Sequence, residues 1–205
     1  MAENPFETHA NDYDQWFETE LGKQLFEREL EALKQVVPSQ PFNWLEIGVG
    51  PGRFARDLGV NMGIDPSHQM AELARSRGID ARIGTAEDLP FKQSSLGGVL
   101  MILTLCFVND PVQVLEECRR VLKPGGTLVI AIIPKDSRWG IFHTRRGAQG
   151  DTFYSTAHFF STAEVLELIH SSGFQHITTV STELPSPIDA LECEEESFSI
   201  LTAQA

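Results

Sequence analysis

The stretch Trp44-Leu45-Glu46-Ile47-Gly48-Val49-Gly50-Pro51-Gly52-Arg53-Phe54 decides the fold of this chain. Its first four residues read as a short strand, three alternating glycines stop it, and a helix starts near Arg53. Gly48, Gly50 and Gly52 leave no Cβ in the turn, so a ligand can lie against bare backbone. The helix that follows aims its free N–H groups and positive dipole end at that ligand. Strand, glycine turn and helix in this order make a nucleotide-type binding loop. The dinucleotide fingerprint wants a glycine three residues after Gly50, and Arg53 stands there instead.

Working outward, short apolar runs alternate with helical patterns, the signature of a parallel sheet with crossover helices. Further strands are predicted near Met62–Ile64, Ala81–Ile83, Val99–Leu103 and Thr127–Ile133. Helices are predicted near Arg53–Leu58, Ser67–Arg77 and Pro111–Leu122, the last opened by Asp110 as N-cap and Pro111 in the first turn. Lys123-Pro124-Gly125-Gly126 reads as a turn feeding the fifth strand. Ser161-x-x-Glu164 reads as a capping box for a helix through Val165, Leu168 and Ile169, stopped at Gly173. Two final strands, Ile177–Ser181 and Phe198–Thr202, are joined through Pro185–Pro187 and the acidic Glu192–Glu196 with no crossover helix. They are therefore expected to be antiparallel.

Upstream, Trp16, Phe17, Leu21, Leu25, Phe26, Leu30, Leu33 and Val37 recur mostly at three- and four-residue steps. This predicts one amphipathic helix, ended by Pro38 and Pro41. The expected fold is α/β: a doubly wound, seven-stranded, mostly parallel sheet with a C-terminal antiparallel strand and helices on both faces. One domain is expected over residues 1–205, with an N-terminal lid helix in 1–37 and a substrate-side segment in 134–161.

Charge and cysteine usage narrow the function. The 205 residues carry 16 basic and 29 acidic side chains, a net charge of -13. Nucleic-acid binders usually show the opposite sign, because neutralising phosphates supplies most of their affinity. Arg145-Arg146 is the one tight basic pair on the substrate side, and two adjacent arginines more often face water. Cys106, Cys118 and Cys193 form no CxxC pair and no metal spacing, which suits a reducing cytoplasm. No signal segment and no membrane-length apolar run is present, so a cytoplasmic location is expected, with neither membrane nor nucleic acid as partner.

Three spaced motifs carry a family resemblance. The Gly48-x-Gly50-x-Gly52 loop after Glu46, the Gly63-Ile64-Asp65-Pro66 strand end, and Gly84-Thr85-Ala86-Glu87-Asp88-Leu89-Pro90-Phe91 together resemble the class I S-adenosylmethionine (SAM) dependent methyltransferases. The likeness runs from Tyr13 to Thr202. It implies SAM as cofactor, with Tyr13, Glu46, Gly48, Gly50, Gly52, Asp65, Pro66, Ala86, Glu87, Ile102 and Leu103 around it. Asp65 would accept from the ribose hydroxyls, as an acid at the end of the second strand does in doubly wound folds; the competing reading is a helix N-cap. Ala86 would offer its amide and Glu87 its carboxylate to the adenine edge, since an amine needs an acceptor; the competing reading is a solvated turn. Carbonyls near Ile102 and Leu103 would face the methionine end. Glu46 would orient the loop or the methionine ammonium, or else cap loop amides as a buried acid.

The chain departs from the family where an acid before the fourth strand and a histidine pair after it are common. Here Gly97 and Cys106-Phe107 occupy those places. The resemblance implies methyl transfer to a small-molecule acceptor, a reaction that depends chiefly on positioning. A base is needed only if the nucleophile must lose a proton near neutral pH. His143 and His158 are the candidates, histidine being the side chain that titrates there. Trp139, Arg145, Arg146, Phe153, Tyr154, Phe159 and Phe160, with Tyr13, Trp16 and Phe17, either roof the acceptor or simply pack the fold. Two rivals stand beside this reading: a non-catalytic SAM-binding module and an NAD-dependent oxidoreductase.

Overall fold

The computed structural model describes residues 4–185 and 198–205. Its strands are β1 (Trp44–Ile47), β2 (Met62–Asp65), β3 (Asp80–Ile83), β4 (Leu96–Ile102), β5 (Leu122–Ile132), β6 (Gln175–Thr182) and β7 (Phe198–Gln204). They form one sheet in the order β3-β2-β1-β4-β5-β7-β6. Pairing is parallel from β3 through β5. Only β7 is reversed, antiparallel to both β5 and β6. The helices are α1 (Pro5–Thr8), α2 (Ala10–Trp16), α3 (Glu20–Leu33), α4 (Arg53–Leu58), α5 (His68–Ser76), α6 (Pro111–Val121), α7 (Arg138–Ala148) and α8 (Thr162–Ser171). A 3-10 turn spans Leu105–Phe107.

The central strands are apolar on both faces, so the sheet is covered twice. Trp44, Leu100, Ile102, Val129 and Ala131 pack with residues of α3, α4 and α5. Leu45, Ile47, Val99, Met101, Leu128 and Ile130 pack with residues of α6 and α8 on the other side. Alternation along each strand separates the two sets. The strand order reverses between β1 and β4, and the ligand crevice of such sheets opens at the carboxyl ends there.

Three local expectations change. The periodic run from Trp16 to Val37 is two helices, not one: α2 ends at Trp16 and α3 starts at Glu20. Thr19 makes the break, its Oγ1 accepting from Gly22 N at 3.1 Å as an N-cap does. Gly22 lets the corner close, since a Cβ there would sit 2.2 Å from the Trp16 carbonyl oxygen. The periodicity persisted because Phe17, Leu25, Leu30, Leu33 and Val37 all enter the same core.

Residues 123–126 form a bulge within β5 rather than a turn before it. The register with β4 jumps from Leu96↔Leu122 to Gly98↔Thr127, and Gly125 takes φ +75° to permit it. The bulge also holds the chain end, with Gly125 N donating to Ala205 O at 2.9 Å. Finally, the substrate-side segment from 134 to 161 contains a full helix, α7. Ser137 caps it, accepting from Gly140 N. Pro187, Glu192–Glu196 and Cys193 lie outside the described residues, among which no helix is long and apolar enough to cross a membrane.

Candidate active site

The three loop glycines all have positive φ, 66°, 51° and 80° for Gly48, Gly50 and Gly52, but they do different things. A Cβ on Gly48 would lie 2.3 Å from Thr104 Cγ2, and one on Gly52 would lie 2.9 Å from Ala74 Cα. These two let the loop press against its neighbours. A Cβ on Gly50 would meet nothing within 4 Å. Gly50 therefore faces the crevice itself, leaving bare backbone for a ligand.

Asp65 stands beside it at the end of β2. Its Oδ2 accepts from Gly50 N and its Oδ1 from Ser67 N, both at 2.8 Å. One carboxylate thus ties the glycine loop to the turn before α5, and each oxygen keeps a second lone pair. Burial raises its pKa to about 6 despite the two backbone donors. Glu46 in β1 points to the same face of the sheet as Asp65 and lies near the first turn of α4, where the Ala55 backbone hydrogen-bonds its carboxyl. Its Oε2 is buried without a partner, and burial drives its pKa well above the carboxylate range.

Three adjoining cavities follow the carboxyl ends of the strands. The largest, about 510 Å³, is lined by Gly48, Gly50, Asp65, Pro66, Ile102 and Leu103, among others. A recess of about 130 Å³ adjoins it through Gly48, Pro66 and Thr104, and is walled by Gly84, Thr85, Ala86 and Glu87. A third, of about 50 Å³, shares Phe6, Tyr13, Leu103 and Phe107 with the first. Ten of the eleven residues that the family resemblance implies line these cavities or, like Gly52, shape the loop; Glu46 is buried and lines none of them.

Glu87 holds the rim of the recess, its Oε1 accepting from Asn109 N at 2.9 Å. Leu103 has φ +53°, a conformation that non-glycine residues rarely adopt and that concentrates at functional sites. Thr104, which the sequence reading passed over, secures this turn. Its Oγ1 donates to Ile102 O at 2.9 Å and lies 3.4 Å from Gly48 O. Gly97, where the family often has an acid, packs tightly instead: a Cβ there would lie 2.9 Å from Phe42 O.

The roof comes from α1 and α2. Phe6 and Tyr13 line both the largest and the smallest of these cavities, and two polar clasps hold them down. Ser67 Oγ donates to Glu7 Oε2 at 2.8 Å and lies 2.9 Å from Phe6 O. Asp14 accepts from Arg53 Nε at 2.7 Å and from Arg77 Nη2 at 2.7 Å, while Arg77 Nη1 donates to Pro51 O in the glycine loop. Arg53, the residue that breaks the dinucleotide pattern, is thus a clasp for the roof. Asp14→Ala is expected to cost about 2–3 kcal/mol, because it takes the shared carboxylate away from two largely buried guanidinium groups. Denaturant unfolding measures the loss, and faster proteolytic nicking within residues 4–17 would locate it. An unchanged unfolding midpoint would show the clasp to be incidental.

Neither candidate base reaches the cavities. His143 is buried on α7, with ring centroids 5.2 Å from Trp139 and 4.0 Å from Tyr154. Burial, with Arg146 adding to it, lowers its pKa to about 4. His158 is exposed, its ring edge-on to Phe160 and its backbone N–H donating to Cys106 O at 2.7 Å. The reason is α7: its helical turn sends His143 inward behind Tyr154, so the tyrosine and not the imidazole faces the cavity. Phe153, Tyr154, Phe159 and Phe160 line it, whereas Trp139 packs the core and donates to Pro185 O at 2.9 Å. Arg146 pairs with Asp151. Among the described residues no group of histidine, cysteine or acidic side chains could hold a metal.

Comparison with known proteins agrees with this geometry. The family model of the methyltransferase domain matches residues 45–130. An uncharacterized protein of Methanocaldococcus jannaschii is 40% identical over 180 residues, covering 87% of this chain and 85% of that one. The crystal structure of an SAM-dependent methyltransferase from Thermotoga maritima, described as a possible histamine N-methyltransferase, has TM-score 0.87 and 36% identity, covering 98% of each chain. This chain belongs to the SAM-dependent methyltransferases. A phosphoethanolamine N-methyltransferase of Haemonchus contortus in complex with SAM shares the fold at TM-score 0.66 and 19% identity, over 85% of this chain and 43% of its own.

The crevice of this methyltransferase fits the cofactor. It offers a side-chain-free approach at Gly50, a carboxylate with spare lone pairs at Asp65, and a separate recess for a flat ring beside Ala86 and Glu87.

Proposed function

We propose that this methyltransferase transfers the methyl group of SAM to a small molecule held in the cavity beneath Phe6 and Tyr13. The observation that carries the reading is the shared wall. Phe6, Tyr13, Leu103 and Phe107 line both the cofactor crevice and the small aromatic cavity. A donor on one side and an acceptor on the other would meet there, which is what an in-line transfer requires. The small size of the aromatic cavity and the chain's net charge of -13 favour a small molecule over a nucleic acid. The Thermotoga relative's description as a possible histamine N-methyltransferase points the same way.

In this reading Asp65 takes the ribose hydroxyls, the Ala86 amide and Glu87 carboxylate take the adenine edge, and backbone at Gly48 and Leu103 borders the methionine end. Bound SAM supplies an electrophilic methyl group on a positively charged sulfur. The chain itself positions, and it excludes water with the clasped roof. Turnover of labelled SAM over a panel of small metabolites tests the reading against a binding module without catalysis. Tight SAM binding with no transfer to any of them would favour the module.

Asp65 makes a second test. Asp65→Ala is expected to weaken SAM by about 1.5–3 kcal/mol, the range for hydrogen bonds to charged groups, as measured by calorimetry. Because protonation removes the charged acceptor, wild-type affinity is expected to fall as pH drops below about 6. The variant's affinity should lack that step. Equal affinity of both proteins at pH 8 would reduce Asp65 to a loop support.

A further inference from the structure

The aromatic cavity has a polar complement of a restricted kind. Its lining includes Phe6, Tyr13, Cys106, Phe107, Phe153 and Tyr154, and no acidic, basic or imidazole side chain. Phe6 lies within 5.5 Å, ring centre to ring centre, of Tyr13, Phe107 and Phe153. These rings come from three separate segments, so only the folded chain assembles them. Tyr13, Tyr154 and Cys106 are the polar side chains on that lining. Two phenols in an otherwise apolar box suit a ligand with a small polar group at one end, since a phenol hydroxyl can donate to it or accept from it.

We infer that the acceptor is a small nitrogen base that reacts in its uncharged form, oriented by the Tyr13 and Tyr154 hydroxyls within the cage of Phe6, Phe107 and Phe153. This rests on reading that cavity as the acceptor site. A carboxylate or phenolate would find no cationic side chain on the lining to pair it, and an apolar wall replaces its water at a large desolvation cost. An alcohol or thiol would need its proton removed. The titratable groups on the lining are Tyr13, Tyr154 and Cys106; burial pushes both phenols up and the thiol to about 12. All three stay protonated near neutral pH and cannot serve as a base.

An uncharged nitrogen needs no base to attack. Its lone pair forms the N–CH₃ bond as the S–CH₃ bond breaks, and the departing sulfur keeps that bonding pair. Positive charge moves from sulfur to nitrogen and none is created. A proton on the product nitrogen, where there is one, leaves afterwards to water. Aromatic faces stabilise the arriving cation, and this interaction strengthens as transfer proceeds.

The test begins with calorimetry of SAM and its demethylated product, whose failure to bind would sink the cofactor reading itself. With the demethylated product loaded, N-methylpyridinium and its uncharged isostere toluene are titrated separately. The cation is expected to bind at least about 10-fold more tightly. Phe153→Ala should reduce that preference without altering cofactor affinity; equal binding of the two probes would overturn the inference. Turnover is then compared among small amines and imidazoles and size-matched thiols, phenols and carboxylates. For nitrogen acceptors kcat/KM should rise with pH up to the acceptor's own pKa and then level. The plateau should move when an acceptor of lower pKa is used. Tyr154→Phe should raise KM more than it lowers kcat. Transfer confined to oxygen or sulfur acceptors, or to none of the panel while SAM binds, would refute the nitrogen-base assignment.

Discussion

Replacing Gly50 by leucine is expected to weaken SAM binding at least about 100-fold, or about 2.7 kcal/mol, while the sheet stays folded. The structure separates these two consequences. A Cβ at Gly50 would meet no protein atom within 4 Å, so the new side chain projects into space that the cofactor needs. The backbone at φ +51° adds a strain of about 1–2 kcal/mol for a non-glycine residue. Gly48→Ala is the contrasting case. Its methyl group would lie 2.3 Å from Thr104, and the damage should appear in the unfolding midpoint before it appears in binding. Calorimetry with SAM and thermal unfolding of both variants decide the matter. A Gly50→Leu protein that binds SAM normally would show that the cofactor does not lie against this backbone.

Glu29→Gln is expected to change how stability depends on pH. Glu29 lies on α3, only 5% exposed, and burial alone raises its pKa to about 8 from an ordinary 4.5. Below 4.5 the carboxyl is protonated in both folded and unfolded chains and contributes no pH dependence. Between 4.5 and 8 the folded state holds the proton and the unfolded state has lost it. Stability therefore falls as pH rises across this window, and it levels above 8. At about 1.4 kcal/mol per pKa unit, the full effect is about 3–5 kcal/mol. The glutamine variant cannot ionise and should escape it. Denaturant unfolding at several pH values would then show a stability gain of the variant over wild type that grows from pH 4.5 to pH 8. A difference that stays constant with pH would show that Glu29 is paired or hydrated in solution. After burial, the same acid is the largest charge influence on Tyr13, so the variant also reports on the roof.

How much was legible beforehand differs from residue to residue. The α4 boundaries at Arg53–Leu58 and the capping box of Ser161 and Glu164 follow from local rules: glycine turns, side-chain caps and periodicity act within a few residues. Asn4-Pro5 is an equally local signal, a cap with proline in the first turn. The clasps were of another kind. Asp14 with Arg53 and Arg77 spans 39 and 63 residues, and nothing in either neighbourhood marks the partner. His143 shows the same limit from the opposite side. Its residue type suggested a base, but its ionisation depends on packing against Trp139 and Tyr154.

The sequence by itself determined the strand–glycine–helix unit, the parallel sheet around it and the acid at the end of β2, because short-range sterics and hydrogen bonding dictate these. Only the tertiary structure decided that Gly50 alone of the three glycines faces open space, that Glu46 is buried and lines none of the cavities, and that Phe6, Tyr13, Phe107, Phe153 and Tyr154 share one cavity. Those outcomes depend on which surfaces meet when distant segments pack. Burial and the partners present at each contact, not residue type, then set what each group can do.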